Sequence, residues 1–119
     1  RKEPFRVRRV LSAEVVAQLV EIMAEATELA SDEPLVPGYR MAGKSGTAGI
    51  PDLDGYDNED IIASYVGFGP VPNPRFVILV RLDKPQTGEW GYEVAAPGFA
   101  QMAKFLVDYY GIPPSEAAE

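Results

Sequence analysis

The stretch IIASYVGFGPVPNPRFVILVRL, Ile61–Leu82, decides the fold of this chain. Its two halves, Ile61–Gly69 and Arg75–Leu82, are rich in the β-branched and aromatic residues that favour strands. The intervening PVPNP is a turn sequence, so the stretch predicts an antiparallel hairpin. The second half is almost continuously apolar, which predicts a strand buried on both faces.

Helical patterns lie on both sides of this hairpin. Ser12 is a predicted N-cap, and apolar residues then recur at helical spacing through Ala13–Leu29. A second helix is predicted to begin near Ala96, with Pro97 in its first turn, and to stop at Gly111. We expect these helices to cover the sheet that the hairpin begins.

Composition limits the classes of function that the chain can have. Its 119 residues allow one small domain, and a net charge of -7 argues against a nucleic-acid partner. The basic segment RKEPFRVRR, Arg1–Arg9, is predicted to be an exposed strand, with a basic arm for membrane or nucleic acid as the alternative. The chain has no cysteine and no histidine, which excludes histidine triads, cysteine nucleophiles and the usual zinc sites. We expect no metal and no cofactor.

The segment GYRMAGKS, Gly38–Ser45, satisfies the P-loop pattern G-x-x-x-x-G-K-S. A P-loop needs a buried strand before it and a helix directly after it. The upstream SDEPLVP is too proline-rich for that strand, and Gly46, Gly49 and Pro51 oppose a helix downstream. A small P-loop-like nucleotide-binding domain is therefore the weaker alternative.

An acidic segment, DLDGYDNED at Asp52–Asp60, suggests a calcium loop at first sight. An EF-hand loop starting at Asp52 would need glycine where Asp57 stands and glutamate where Ala63 stands. The calcium interpretation fails, and a solvated acidic loop between two strands is predicted instead.

A third strand is predicted at Tyr39–Ala48, and its residues carry a candidate site. Extended backbone places Ser45 and Thr47 on one side, where two hydroxyls can hold a carboxylate, and Lys44 on the other. At a sheet edge the long lysine stem can reach the same cleft. Gly46 lets another backbone lie close alongside, and the Thr47 N–H becomes an oxyanion donor. The set suits a peptide with a free carboxylate, bound by strand addition, and an ordinary surface strand is the alternative.

The same residues carry a resemblance to a known family. Lys44–Gly46 matches the Lys-Thr/Ser-Gly signature of the serine acyl-transferases that include penicillin-binding proteins and β-lactamases. The wider segments Ala42–Ala48, Tyr65–Pro85 and Ala95–Pro114 resemble class B penicillin-binding proteins, the D,D-transpeptidases that cross-link peptidoglycan in cell division and elongation. The likeness covers nearly the whole chain in the right order.

This resemblance implies a fold and a role for each matching residue. The fold would be α+β, with an antiparallel sheet of about three strands flanked by helices, as a partial penicillin-binding or β-lactamase-like fold. Lys44 would assist proton traffic around the nucleophile, while Ser45 and Thr47 would bind the carboxylate of the D-Ala-D-Ala stem peptide or of a β-lactam. The Thr47 N–H would form half of the oxyanion hole, and Gly46 would line the substrate.

One departure from the family pattern limits what the chain can do alone. Its nucleophile motif, Ser-x-x-Lys, and its second motif, Ser-x-Asn, occur at none of the five serines. The resemblance therefore implies that residues 1–114 are the C-terminal part of a transpeptidase domain, followed by a disordered tail at 115–119. We expect the chain alone to be inactive, and its first partner to be the N-terminal part of the same domain.

Three further expectations follow from this resemblance. The parent protein would be anchored by another segment at the outer face of the cytoplasmic membrane. The strand at Arg75–Leu82 would be an uncovered edge, through which the chain would associate with itself. A β-lactam sensor or a β-lactamase-like fragment would share Lys44–Gly46 and stays open as an alternative.

Overall fold

The computed structural model describes residue 3 and residues 5–52 and 55–115. The helices and strands are α1 (Ala13–Ala30), β1 (Ala42–Asp52), β2 (Gly55–Gly69), β3 (Phe76–Asp83), α2 (Gly91–Val94) and α3 (Ala96–Tyr109). The strands form one antiparallel sheet in the order β1-β2-β3. The predicted α+β class is confirmed, as are the three strands and the two long helices. The sequence carries no periodic signal for α2, which has four residues.

Helix α1 begins at the predicted N-cap and lies against strand β1. The Val15 N–H donates to Ser12 Oγ at 3.2 Å, which satisfies one of the amides that a helix start leaves unpaired. Further along the helix, Ala24 and Thr27 are buried. Helix α1 therefore packs through small side chains near its carboxyl end, next to the strand that carries the candidate site.

Arg40, just before β1, is held by two glutamates of α1. Its guanidinium contacts Glu21 at 2.9 Å and Glu28 at 3.0 Å. The hydrogen bonds to Glu21 and Glu28 raise the pKa of Arg40, so the guanidinium stays charged. The helical pattern assigns both glutamates to the solvent-facing side, whereas the structure uses them to bind the helix to the start of the strand.

The register of the sheet pairs β1 with β2 over a longer stretch than the sequence predicts. Residue pairs run in step from Ala42 opposite Phe68 to Gly49 opposite Ile61. The register then shifts between Gly49 and Ile50, and the two strands continue to the hairpin tip. Residues 55–60 are therefore strand, and the prediction of an acidic loop over 52–60 is wrong for them, because the hairpin extends past the shift.

One face of the sheet is covered by α3 and carries the main core. Phe99 of α3 is fully buried and meets Tyr65 of β2 with ring centroids 5.1 Å apart. Gly67 lies under this ring, because a Cβ at that position would collide with Phe99. Ile78 and Val80 of β3 pack against the same core. The helix thus reaches across two strands.

The opposite face of β3 is exposed in this chain. Val77 is 70% exposed and Leu79 65%, while their neighbours Ile78 and Val80 are partly buried. The prediction that Arg75–Leu82 is buried on both faces is wrong here, because α3 covers only one side of the strand. A strand composed for two-sided burial therefore has a bare apolar face.

The amino-terminal end of the chain differs from the sequence prediction. Residues 5–10 form no helix or strand and are exposed, so the predicted strand over Arg1–Arg9 is wrong for them. Arg1, Lys2 and Pro4 lie outside the described residues. At the other end Ser115 Oγ accepts a hydrogen bond from the Arg40 N–H at 3.1 Å. Residues 116–119 lie outside the described part, and the domain boundary at residue 114 stays a prediction.

Candidate active site

Strand β1 is an edge strand, and every second residue of it points away from β2. The Gly43 N–H donates to Thr27 Oγ1 of α1 at 3.0 Å, which shows that the backbone of this residue faces outward. Backbone groups alternate along an antiparallel strand, so Ser45 and Thr47 also point their N–H and C=O groups to the outer edge. The Thr47 N–H is therefore directed where the sequence analysis places an oxyanion donor.

The amine of Lys44 reaches this outer edge from the other side of the strand. Its side chain is exposed, and Nζ donates to the Ser45 carbonyl oxygen at 2.8 Å. That carbonyl points outward, so the ammonium group lies beside the edge rather than over the face of the sheet. The expected reach of Lys44 around the strand is present in the structure.

A cavity of about 440 Å³ adjoins the edge of β1 and the end of α1. Lys44 and Ser45 line it together, and the aromatic rings of Tyr65 and Tyr92 contribute to its wall. The other lining residues come from α1, the segment after it and β1: Ala26, Thr27, Ala30, Ser31, Pro34 and Gly43. Among the lining residues that the structure describes, Lys44 is the only charged one, so the cavity favours an anionic group.

Thr47 lies further along the strand, and its side chain has a structural contact. Thr47 Oγ1 accepts a hydrogen bond from the Gly91 N–H at 2.9 Å. A threonine hydroxyl accepts through two lone pairs and donates one proton, so Thr47 keeps its proton for a further partner. The structure thus brings Lys44 and Ser45 together at the cavity and places Thr47 beside them, tied to the start of α2.

Close backbone approach at Gly46 occurs through Gly91. A Cβ on Gly91 would collide with the carbonyl oxygens of Gly46 and Ser64. The space above Gly46 itself is taken by the Ser64 hydroxyl, 2.8 Å from where a Cβ would stand. Sequence reasoning identified Gly46 as a close-approach residue and missed Gly91, whose only sequence signal is a glycine between two aromatics.

Tyr65 and Thr27 are also functional candidates that sequence reasoning missed. Tyr65 is 4% exposed, and its hydroxyl lies against Gly43, because a Cβ at residue 43 would collide with it. Burial raises the pKa of the Tyr65 hydroxyl, so this group is protonated at neutral pH. Tyr65 of β2 pairs with Ser45 of β1. Its ring therefore lies next to the edge strand, one strand further into the sheet.

The described residues fit neither a P-loop nor a site built from clustered metal ligands. Residues 42–52 form a continuous strand, so Lys44 and Ser45 do not begin a helix, and the P-loop alternative is wrong. Among the residues that the structure describes, no group of three or more acidic, histidine or cysteine side chains could hold a metal ion. No described helix is long and apolar enough to span a bilayer.

An antiparallel sheet backed by a helix, with Lys-Ser-Gly-Thr on its outer edge, is the arrangement expected of a penicillin-binding transpeptidase domain. The family model for this class, described as the penicillin binding protein transpeptidase domain, matches residues 1–104. The chain belongs to this family.

Curated relatives are similar along most of this chain. The peptidoglycan D,D-transpeptidase FtsI of Buchnera aphidicola subsp. Baizongia pistaciae is 30% identical over 90% of the chain and 19% of its own length. Stage V sporulation protein D of Bacillus subtilis is 31% identical over 96% of the chain and 18% of its own length. The chain therefore spans about a fifth of these relatives.

Solved structures confirm the fold. The transpeptidase domain of penicillin-binding protein 3 from Burkholderia pseudomallei superimposes with a TM-score of 0.81 at 35% identity, over 91% of this chain and 34% of that one. Penicillin-binding protein 3 of Mycobacterium tuberculosis, in complex with ampicillin, gives a TM-score of 0.77 at 27% identity, over 92% of this chain and 27% of that one. The partial penicillin-binding fold expected from the sequence is confirmed.

Proposed function

We propose that this chain is part of a peptidoglycan D,D-transpeptidase, which binds penicillin and cross-links stem peptides by serine acyl transfer. The observation that carries the proposal is the meeting of Lys44 and Ser45 at one cavity on the outward edge of β1. The names of the curated relatives support the same reaction, since FtsI is a D,D-transpeptidase. The chain would supply the Lys-Ser-Gly wall of the active site.

Each residue of the wall has a role that its geometry supports. The Lys44 ammonium, at the edge of the strand, would stabilise negative charge and assist proton transfer around the nucleophile. The hydroxyls of Ser45 and Thr47 would hold the carboxylate of the stem peptide or of a β-lactam. The outward N–H of Thr47 would donate to the oxyanion. Gly46 would belong to the substrate-binding strand, with the Ser64 hydroxyl in the place of its side chain and Gly91 against its carbonyl oxygen.

The nucleophile of the proposed reaction lies outside this chain. None of its five serines is followed by lysine at the third position or by asparagine at the second. We therefore propose that another part of the same domain supplies the Ser-x-x-Lys and Ser-x-Asn motifs, and that the chain alone is inactive. The whole enzyme would work outside the cytoplasmic membrane, where peptidoglycan is made.

The partners of the proposed enzyme would be stem peptides, β-lactams and the remainder of its own domain, with no nucleic acid. The exposed face of β3, at Val77 and Leu79, supports a protein contact on that side of the sheet. In isolation this strand would instead pair with a second copy. A β-lactam sensor or β-lactamase-like fragment would use the same wall, but the names of the relatives favour the transpeptidase.

Acylation by a fluorescent penicillin tests the proposed function. The complete transpeptidase domain containing this chain is expected to gain the mass of one penicillin, and the 119-residue chain alone none. Intact-mass spectrometry measures both proteins under the same conditions. A stoichiometric adduct on the isolated chain, or none on the complete domain, would contradict the proposal.

A further inference from the structure

Thr27 stands at the centre of a hydrogen-bonded group that joins helix α1 to strand β1. Its Oγ1 donates to the Met23 carbonyl at 2.8 Å and accepts from the Gly43 N–H at 3.0 Å. A hydroxyl has one proton to donate, so the proton of Thr27 is used by Met23. The Tyr65 hydroxyl lies beside Gly43 on the neighbouring strand. Thr27 is 5% exposed, which makes this group a buried junction.

Gly43 fits into the same junction because it has no side chain. A Cβ at this position would collide with the Tyr65 hydroxyl, so the ring of Tyr65 occupies the place of a side chain. Gly43 is thereby held between the Thr27 hydroxyl, which accepts its N–H, and the Tyr65 ring. The strand residue that immediately precedes Lys44 is thereby fixed both along the strand and against the helix.

The junction also takes one backbone donor away from the open edge of β1. An edge strand normally offers each outward N–H to an added strand. At Gly43 that N–H is bonded to Thr27, so the next outward amide is that of Ser45. A peptide that adds to this edge therefore finds its first open donor beside Lys44 and Ser45, at the cavity.

We propose that Thr27 is a positioning residue for acyl transfer, and this rests on the proposed function above. Its hydroxyl occupies the Gly43 N–H, so an added strand cannot pair at that residue. It also fixes the position of β1, so that Lys44 and Ser45 meet the reacting group of the substrate. Thr27 lines the cavity, but in this assignment its hydroxyl donates no hydrogen bond to the substrate or the nucleophile, because its single proton goes to the Met23 carbonyl. It acts through the backbone of Gly43, and Tyr65 supports it from the neighbouring strand.

Hydroxyl removal and hydroxyl retention separate this role from simple packing. Thr27→Val keeps the shape of the side chain and removes its hydrogen bonds, whereas Thr27→Ser keeps the hydroxyl and loses a methyl group. Displacement of a reactive group by a fraction of an ångström lowers rates strongly. We expect Thr27→Val to lower the acylation rate constant at saturating penicillin about tenfold, and Thr27→Ser to stay within about threefold of wild type. Thr87→Val, at an exposed threonine outside the junction, is the matched control.

The experiment uses the complete transpeptidase domain and stopped-flow acylation by a fluorescent penicillin. Rates are taken at a temperature where circular dichroism shows every variant to be folded, and melting temperatures are recorded in parallel. A wild-type rate for Thr27→Val, or an equal loss in Thr27→Ser, would overturn the positioning role while the proposed function stands. A wild-type domain that is not acylated at all would overturn both. A loss in Thr27→Val that Thr27→Ser restores would establish the role.

Discussion

The backbone N–H of Gly91 donates to the Thr47 hydroxyl at 2.9 Å, and so joins residues 44 positions apart in the chain. This bond places the start of α2 against the strand that carries Lys44. It also leaves the Thr47 N–H pointing outward, because the side chain and not the backbone makes the contact. The loop before α2 is thereby part of the construction of the candidate site.

The absence of a side chain at Gly91 is expected to be essential for stability. Gly91→Ala would place a Cβ against the carbonyl oxygens of Gly46 and Ser64, and should lower the free energy of unfolding by about 2 kcal/mol or more. Gly98→Ala is the control, because its Cβ would stand 3.5 Å from Val80 in ordinary contact. Alanine in that helix should be neutral or stabilising by about 0.5–1 kcal/mol. Chemical denaturation measures both, and equal effects would refute the packing argument.

Lys44 is expected to matter for acylation and not for stability. In the complete domain Lys44→Ala should lower penicillin acylation about 100-fold, since the loss of one group that stabilises developing charge costs about 3 kcal/mol in the barrier. The side chain is exposed, so the melting temperature should change little. Lys104→Ala, at an exposed lysine of α3, is the control and should leave acylation unchanged. If acylation stayed near wild type while the melting temperature fell, Lys44 would be structural.

The buried hydroxyl of Tyr65 is expected to lower the free energy of unfolding at alkaline pH. Burial raises its pKa in the folded chain above the usual 10.0, so above that pH the unfolded chain loses a proton that the folded chain keeps. The unfolded state then binds fewer protons, and the free energy of unfolding falls as the pH rises. Tyr65→Phe should make this fall less steep between about pH 9 and pH 11.

Guanidinium denaturation at successive pH values measures the two slopes. Tyr110→Phe, at a tyrosine 63% exposed, serves as the control for the loss of one phenol. Identical slopes for wild type and Tyr65→Phe would show that the buried hydroxyl does not titrate in this range.

Strand β3 is expected to pair with a second copy when the chain is isolated. The Lys84 N–H donates to Ile61, which turns the even-numbered residues of the strand toward β2 and the odd-numbered ones outward. With Leu79 opposite its own copy, Val77 faces Arg81, so no two like charges stand opposite each other within β3. This register extends the sheet from three strands to about six.

Substitution in the middle of that edge tests the pairing. Leu79→Lys places a charge against its own copy and should shift the isolated chain from dimer toward monomer by about tenfold or more in dissociation constant. Phe105→Lys removes an equally exposed apolar side chain, 64% against 65%, from helix α3 and is the control. Sedimentation velocity over a concentration series measures both. A chain that is monomeric at high concentration, or a dimer that only Phe105→Lys weakens, would disprove this pairing.

The elements with a regular period were predictable from the sequence, and the contacts between them were not. Alternation and helical spacing located β3, α1 and α3 to within a few residues, and β2 from Ile61 onward, because each pattern reflects a face that must be buried. The same alternation predicted on which side of the strand each side chain from Lys44 to Thr47 lies. The Thr27 to Gly43 bond has no such signature, since it depends on how a helix happens to cross a strand 16 residues later.

Two misjudged regions have physical explanations. The acidic segment looked like a loop because Asp and Gly are poor strand formers, but Asp52 and residues 55–60 belong to β1 and β2. The apolar composition of β3 predicted that both of its faces are buried. Burial also requires another element to pack against each face, and composition does not show which elements do so. Val77 and Leu79 are exposed because α3 reaches only the other face.

The register shift between Gly49 and Ile50 separates the long hairpin into two independently variable parts. In a strand of period two, the insertion of one residue between Gly43 and Thr47 would turn the hydroxyls to the opposite face of the sheet. Beyond the register shift a change in the length of the hairpin would not alter the faces on which Ser45 and Thr47 lie. Homologues should therefore tolerate insertions and deletions at the hairpin tip, while the spacing from Gly43 to Gly49 stays constant.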